Sequence, residues 1–389
     1  MSKLALYVQY TNPAAYPPLE HSSIILARAG WRVIQLGVRA RETDCMEFPE
    51  GQPIEVRRME ACASGFRQKW HFVRFVLWSV WTAVRLKPDV TYFSDMLSTP
   101  SGLLVSLVTN SFVVYHEHDS PNPEGAGGRT GFQKLLRWTR RLLVRRAGAV
   151  VLPNAERAAI LVRETGLINP AIVIWNCPRL DEVGGPRVDP LDRIWLFYHG
   201  SLGPERLPVH IIDVLARLPE RVGLRVVGYE TLGSVGYLDQ LRARARALGC
   251  AHRLETPGTI PTRRELLAIC RASDIGMALM PMDTKDINLK AMTGASNKVF
   301  DYMASGLALI VSDLPDWRLT FCDEGLAVPC DPRRVDHLAA AIEGLVGDPV
   351  RLRQMGERGR QRVVRDWNYE AQMQPLLDLI AKRRQSLDS

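Results

Sequence analysis

The chain has 389 residues, 46% hydrophobic and 24% charged, which excludes a disordered polypeptide and exceeds what one ordinary core accommodates. The formal net charge of +8, largely from arginine, calls for an anionic partner. Seven cysteines (Cys45, Cys62, Cys177, Cys250, Cys270, Cys322 and Cys330) form no CxxC pair, which argues against a zinc knuckle or disulfide framework and fits a reducing cytoplasm.

Met1 leads directly into a strand-like run, Leu4 to Tyr10, without the apolar region and cleavage site of a signal peptide, so the expectation is a protein that is not exported. Further strand-like runs follow at Trp31 to Gly37, Val90 to Ser94, Phe112 to His116, Ala149 to Leu152 and Ile172 to Trp175, with helical patterns between them. This alternation predicts βαβ crossovers and a parallel sheet. One of the helices, Phe66 to Leu86, is rich in aromatics and interspersed with cations. Its longest apolar stretch, Phe75 to Val84, is about half of the ~20 residues a membrane-spanning helix needs. A second basic helix covers Phe132 to Arg146 and carries Lys134, Arg137, Arg140, Arg141, Arg145 and Arg146. Such helices either bury their aromatics in the core or lie on an anionic membrane with the aromatics at the interface. Core packing is favoured for the first; surface basicity balances the two for the second. No nucleic-acid reading motif accompanies the charge.

The segment Tyr115-His116-Glu117-His118-Asp119-Ser120 ends a strand of this first series. Histidine titrates near neutrality, so His118 is a candidate acid, base or hydrogen-bond donor. A metal site is also conceivable there, but strand alternation lets only His116 with His118, or Glu117 with Asp119, share a side, and further ligands are not evident. Asp95, after the strand Val90 to Ser94, and Asp119 are acceptor-side candidates.

Leu180 to Asp192, with Gly184, Gly185, Pro186 and Pro190, reads as a linker. A second series then runs through Trp195 to His199, Leu224 to Gly228, His252 to Glu255, Ile275 to Leu279, Ala308 to Ser312 and Leu326 to Val328. The expected organisation is two tandem doubly wound domains, 1–183 and 184–366, facing a cleft. A final helix, 367–389, is expected to cross their junction.

Two constellations in the second series point to an anion. In Tyr198-His199-Gly200-Ser201-Leu202-Gly203-Pro204-Glu205-Arg206, a strand feeds a glycine-containing loop that lets backbone N–H groups approach a diphosphate, and Arg206 supplies a bidentate cation. In Asn297-Lys298-Val299-Phe300-Asp301-Tyr302-Met303-Ala304-Ser305-Gly306, a helix carries Lys298 at its positive end and is stopped by Gly306. Asp301, three residues on, is placed to accept hydrogen bonds from paired sugar hydroxyls. Phosphate beside ribose means a nucleotide.

These segments resemble the retaining glycosyltransferases of the GT-B fold, in the family 4 group that uses nucleotide-sugar donors. Ser296 to Pro315 resembles that family's Asn-Lys, acidic, Tyr-Met-Ala, Gly, strand signature. Gly200 to Arg206 resembles its first phosphate loop, and Val113 to Asp119 the strand that ends in its active-site histidine. The resemblance implies that Arg206 and Lys298 hold the donor diphosphate with Gly200, Ser201 and Asn297. It puts Asp301 on the ribose, the backbone of Gly258, Thr259 and Ile260 on the base, and His118 against the donor sugar. It further implies transfer to a glycan or lipid-linked acceptor with retained anomeric configuration, no cofactor and no metal. Together with the cysteine usage and the two basic helices, the expectation is a cytoplasmic enzyme with peripheral contact to the inner face of the membrane through 66–86 and 132–146 as one of the two readings of those helices. Departures stand out: Thr11-Asn12-Pro13 and Pro17-Pro18 where relatives carry a Gly-Gly pair, Ser201 in place of a second arginine, Leu207 for a glycine, and Thr293 in place of an upstream glutamate. The alternatives are a nucleotide-sugar epimerase on the same fold and a catalytically inactive nucleotide-binding scaffold.

Overall fold

In the computed structural model, which describes residues 3–40, 43–63, 65–121, 130–168, 170–187, 192–231 and 233–388, the apolar runs form two parallel sheets in two units. The first unit comprises Met1–Asn176 and Tyr369–Ser389, the second Cys177–Asn368.

The first unit is built on β1 (Leu4–Val8), β2 (Arg32–Val38), β3 (Ile54–Met59), β4 (Val90–Ser94), β5 (Phe112–His116), β6 (Ala149–Leu152) and β7 (Ile172–Val173), in the order β3-β2-β1-β4-β5-β6-β7. Strand pleating sends successive side chains to opposite faces. Leu4, Leu6 and Val8 therefore join one core layer with Phe75, Leu103 and Leu143 from the helices, while Ala5 and Tyr7 join another with Leu19 and Leu26. The strand β3 escapes sequence reading because Glu55, Arg57 and Arg58 interrupt its apolar pattern, as suits a partly solvated edge.

The second unit contains β8 (Ile194–Leu202), β9 (Val222–Glu230), β10 (Leu254–Gly258), β11 (Ile275–Ala278), β12 (Ala308–Ser312) and β13 (Ala327–Cys330), ordered β10-β9-β8-β11-β12-β13. This is the doubly wound order in which ligands bind beyond the strand carboxyl ends, where the winding reverses between β8 and β11.

One boundary differs from expectation. The chain enters the second unit at Cys177, because Glu182 is held there by Arg263 and the N–H of Gly184 donates to the carbonyl of Ala304. Residues 188–191 of the expected linker lie outside the described residues. The final helix, Tyr369–Asp388, belongs to the first unit: Tyr369, Met373, Leu376 and Ile380, at helical spacing, pack with Leu19, Leu26 and Trp31.

Candidate active site

In the second unit the site grows from the end of β8. The strand runs on to Leu202, past the loop expected at Gly200, and its pairing with β11 stops at Phe197, so residues 198–202 flank the opening between the two strands. Three neighbouring strands carry a glycine of positive φ at or near their carboxyl ends: Gly200 (φ +112°), Gly228 (φ +150°) and Gly258 (φ +86°). A side chain at Gly228 would put its Cβ 1.9 Å from the carbonyl oxygen of Gly200, and one at Gly200 would reach within 3.0 Å of the Lys298 ammonium. The sequence thus leaves a bare backbone ledge beneath a cation. Ser201 lies on this ledge, its carbonyl accepting from the Tyr198 hydroxyl at 2.6 Å, while the Thr259 hydroxyl reaches the carbonyl of Gly228 at 3.5 Å and Ile260 follows.

The helix Asn297–Ala304 brings Lys298 over the ledge. Tyr302 fixes its position: the ring packs on Gly276 of β11 and the hydroxyl accepts from the His199 N–H at 3.2 Å. The Lys298 ammonium lies 5.5 Å from the centre of the Tyr198 ring. Burial, reinforced by the Arg206 guanidinium, pushes it down to about 7. Arg206 sits in a turn closed by its own N–H and that of Leu207 donating to the carbonyl of Gly203, and its charge also reaches Tyr198. Among the described residues neither Lys298 nor Arg206 has a carboxylate at ion-pair distance. At the helix start, Ser296 makes no capping bond, and its hydroxyl and the Asn297 side-chain oxygen are buried without protein partners among the described residues. Two convergent cations without an ion-pair partner among the described residues, beside an open helix N-terminus, form a seat for a compact dianion.

Asp301, the residue expected on the ribose, is held inside the protein. The helix is buried all round, so three residues on from Lys298 is interior: Asp301 is 1% exposed and its oxygens accept from Arg263 Nη2 at 2.5 Å and Nη1 at 3.2 Å. His199 Nε2 lies 3.3 Å away. Burial pushes the Asp301 carboxyl up, but Arg263 and His199 outweigh it and hold it below the usual carboxylate range. In this structure the carboxylate expected on the ribose is engaged by Arg263 and His199, and Asp301 anchors the helix. Arg263 in turn holds Glu182 (Nε to Oε1, 2.7 Å), tying the entry segment of the unit to the same cluster. Neither Arg263 nor His199 was legible as a site residue: Arg263 follows the capping residue Thr262 like a routine surface arginine. Thr293, in the place of a glutamate in relatives, donates its hydroxyl to Asp316 at 2.5 Å.

In the first unit, β5 delivers His116 and the chain then turns. Asp95, after β4, has a positive φ of 61° and its Oδ1 accepts from the backbone N–H groups of His118 (2.8 Å) and Asp119 (3.2 Å). Burial pushes the Asp95 carboxyl up to about 6. From the other side Arg157 Nη1 donates to the His118 carbonyl at 2.5 Å. The His118 ring is thus held by its backbone, and both its ring nitrogens are buried without a protein partner among the described residues. Burial, with Arg157 nearby, pushes the imidazole down to about 4, so it is neutral at physiological pH. The neighbouring residues do not converge on a metal: His116 bonds the Tyr92 hydroxyl, Glu117 is sealed in an ion pair with Arg140, and the Asp119 side chain is 71% exposed. Arg140, expected on the basic surface, is a core residue for this reason.

Two family models match the chain, one described as a glycosyl transferase 4-like domain over residues 25–177 and one as glycosyl transferase-like over residues 208–378. The chain belongs to the GT-B glycosyltransferases. No curated protein sequence matches it. Among solved structures, this glycosyltransferase is similar to HepE of Anabaena in complex with UDP and glucose (TM-score 0.72, 16% identity, 98% of this chain and 100% of that one). It is also similar to a sucrose-phosphate synthase from Thermosynechococcus elongatus (TM-score 0.70, 18% identity, 100% of both chains). At these identities the likeness is one of fold.

Proposed function

We propose that this glycosyltransferase moves a sugar from a nucleoside diphosphate sugar to a glycan or lipid-linked acceptor, with retention of anomeric configuration and without a metal ion. The observation that carries the reading is the pair Arg206 and Lys298, with no carboxylate at ion-pair distance among the described residues, beside the open start of Asn297–Ala304. The two cations and the helix end neutralise the departing diphosphate, the service a divalent ion performs elsewhere. The glycine ledge lets the nucleotide lie against backbone, with the base at Gly258 to Ile260. His118, neutral and with both ring nitrogens open, offers a hydrogen bond to the transferred sugar without adding charge. A neutral donor suits a reaction whose leaving phosphate helps to take the acceptor proton. A UDP-sugar is the first donor to try, since UDP and UDP-glucose are bound to HepE.

Incubation with a panel of nucleotide sugars, with and without EDTA, tests this by release of nucleoside diphosphate and by the anomeric form of the product. The expected result is EDTA-resistant release with retained configuration. Nucleotide binding without turnover on any donor would instead mark an inactive scaffold; donor conversion without acceptor would mark an epimerase. Association with the membrane through 66–86 and 132–146 belongs to the same reading.

A further inference from the structure

The helix Phe66–Leu86 has two apolar faces. One, with Phe72, Phe75, Val76, Ser79, Thr82 and Ala83, is buried. The other, Phe66, Trp70, Val73, Leu77, Trp81 and Val84, repeats at intervals of three and four and is exposed, Phe66 by 72% and Trp70 by 60%. The core reading favoured from sequence holds for the first stripe only. Two more helices extend the exposed face. Thr99–Val108 packs beside the first through Ser79 and Ser101 (2.8 Å between hydroxyls) and beside Gly131–Arg146 through Thr99 and Thr139 (2.8 Å). Thr99–Val108 presents Leu104, Leu107 and Val108 to solvent, and Gly131–Arg146 presents Phe132, Leu135 and Trp138. Every exposed phenylalanine and tryptophan among the described residues lies in this layer. A soluble surface scatters such residues singly; their concentration marks a docking face.

Charge identifies what docks. Neither 66–86 nor 131–146 contains an aspartate or glutamate, while Arg67, Lys69, Arg74, Arg85, Lys134 and Arg141 are exposed among the aromatics. A second copy laid on the stripe would set cation against cation, so the repeat does not serve a coiled coil. Aromatics level with a rim of cations suit the boundary between lipid headgroups and acyl chains. No helix among the described residues is long and apolar enough to cross a membrane, which fits a protein that lies on the bilayer. The face also has an orientation. Phe72 stacks edge-on to Phe132 (5.2 Å), and Tyr10, just past β1, bonds His71 (2.9 Å). The amino-terminal ends of both helices therefore stand at the strand carboxyl edge of the first unit, the edge that carries His118.

We infer that the outer face of these three helices seats the protein on an anionic lipid bilayer, with the His118 edge of the first unit turned toward the headgroups. The inference deepens the glycosyltransferase reading, because an acceptor anchored in lipid is met at that surface.

Flotation of the full chain with phosphatidylglycerol-containing vesicles, against pure phosphatidylcholine vesicles, tests it. Binding to the anionic vesicles is expected, weakened by salt. Trp70→Ser/Trp81→Ser/Trp138→Ser should lower the partition by roughly a hundredfold or more, and Arg67→Gln/Lys69→Gln/Arg74→Gln should remove the preference for anionic lipid. Equal partition of wild type and both variants would overturn the proposal. So would a concentration-dependent dimer in analytical ultracentrifugation that the tryptophan variant abolishes. All these positions are exposed, and a UDP-induced rise in melting temperature, measured in parallel without lipid, confirms that each variant is folded. That rise reports on the donor site alone: its absence together with normal flotation contradicts the glycosyltransfer reading and leaves the docking face intact.

Discussion

Lys298→Met is expected to stabilise the empty protein while disabling it. Met keeps most of the aliphatic length and removes the charge. In the folded chain burial pushes the Lys298 ammonium from 10.5 to about 7. At pH 7 that displacement opposes folding by about 4 kcal/mol, at about 1.36 kcal/mol per tenfold. Relaxation and water entry leave about half of this recoverable, about 2 kcal/mol, or a rise of roughly 4–8 °C in melting temperature for a unit of this size. The sign is set by proton count. Between pH 7 and 10.5 the unfolded lysine binds more protons than the folded one, so wild-type stability climbs as pH rises through this window. The advantage of methionine is therefore largest at and below pH 7 and shrinks toward pH 10.5. The same proton returns on binding: closure of a diphosphate on Lys298 at pH 7 should draw in about half a proton, visible as buffer-dependent binding heat. Calorimetry and thermal melts over pH 6–10 provide the assay. A methionine variant that melts lower than wild type, or binds UDP with unchanged affinity and heat, refutes the reasoning.

Other residues give sharper local tests. His118→Gln should lower kcat by roughly 10²–10³ while leaving UDP affinity unchanged; wild-type kcat/KM should fall on the alkaline side of about pH 7, where Lys298 gives up its proton, and show no imidazole limb on the acid side near pH 6.5. Since the His118 imidazole titrates at about 4 when folded and near 6.5 when unfolded, it withdraws up to about 3 kcal/mol of stability as pH falls across that interval; a glutamine variant should melt with a shallower acid limb. Arg263→Met leaves Asp301 and Glu182 without their shared buried cation and should cost about 3–5 kcal/mol, read from chemical denaturation. Gly200→Ala should weaken UDP binding and also cost stability, because its φ of +112° strains any L side chain even though the Cβ meets only the end of a flexible lysine. Gly228→Ala, whose Cβ meets backbone, should lower the melting temperature outright.

The fold was legible because it rests on periodicity. Val90–Ser94, Phe112–His116, Ala149–Leu152 and Ala308–Ser312 are apolar runs buried on both sides, and the sequence places them at their structural limits. The edge strand Ile54–Met59 was not, since half its residues meet water and carry charge. The cations of the site were legible for a similar reason: Lys298 and Arg206 lie at strand-to-helix turns, where topology alone dictates the facing edge. Their buried counterparts were hidden. Whether Asp301 points to a ligand or to Arg263 depends on a contact 38 positions away in the chain, and whether Arg140 is surface or core depends on Glu117, 23 positions away. The exposed stripe of Phe66–Leu86 was equally hidden, because a helix apolar on two faces reads from sequence like one fully enclosed.

The measurement closest to the central claim is a double-mutant cycle on UDP affinity with Arg206→Ala, Lys298→Met and both together. Each single change should weaken binding by roughly ten- to a hundredfold, one charge-assisted contact apiece. If both groups grip the same diphosphate, the double variant should depart from the product of the single effects by about 0.5–3 kcal/mol, and UMP should lose far less than UDP from either change. Independent effects, or UDP affinity indifferent to both substitutions, would contradict a shared diphosphate seat.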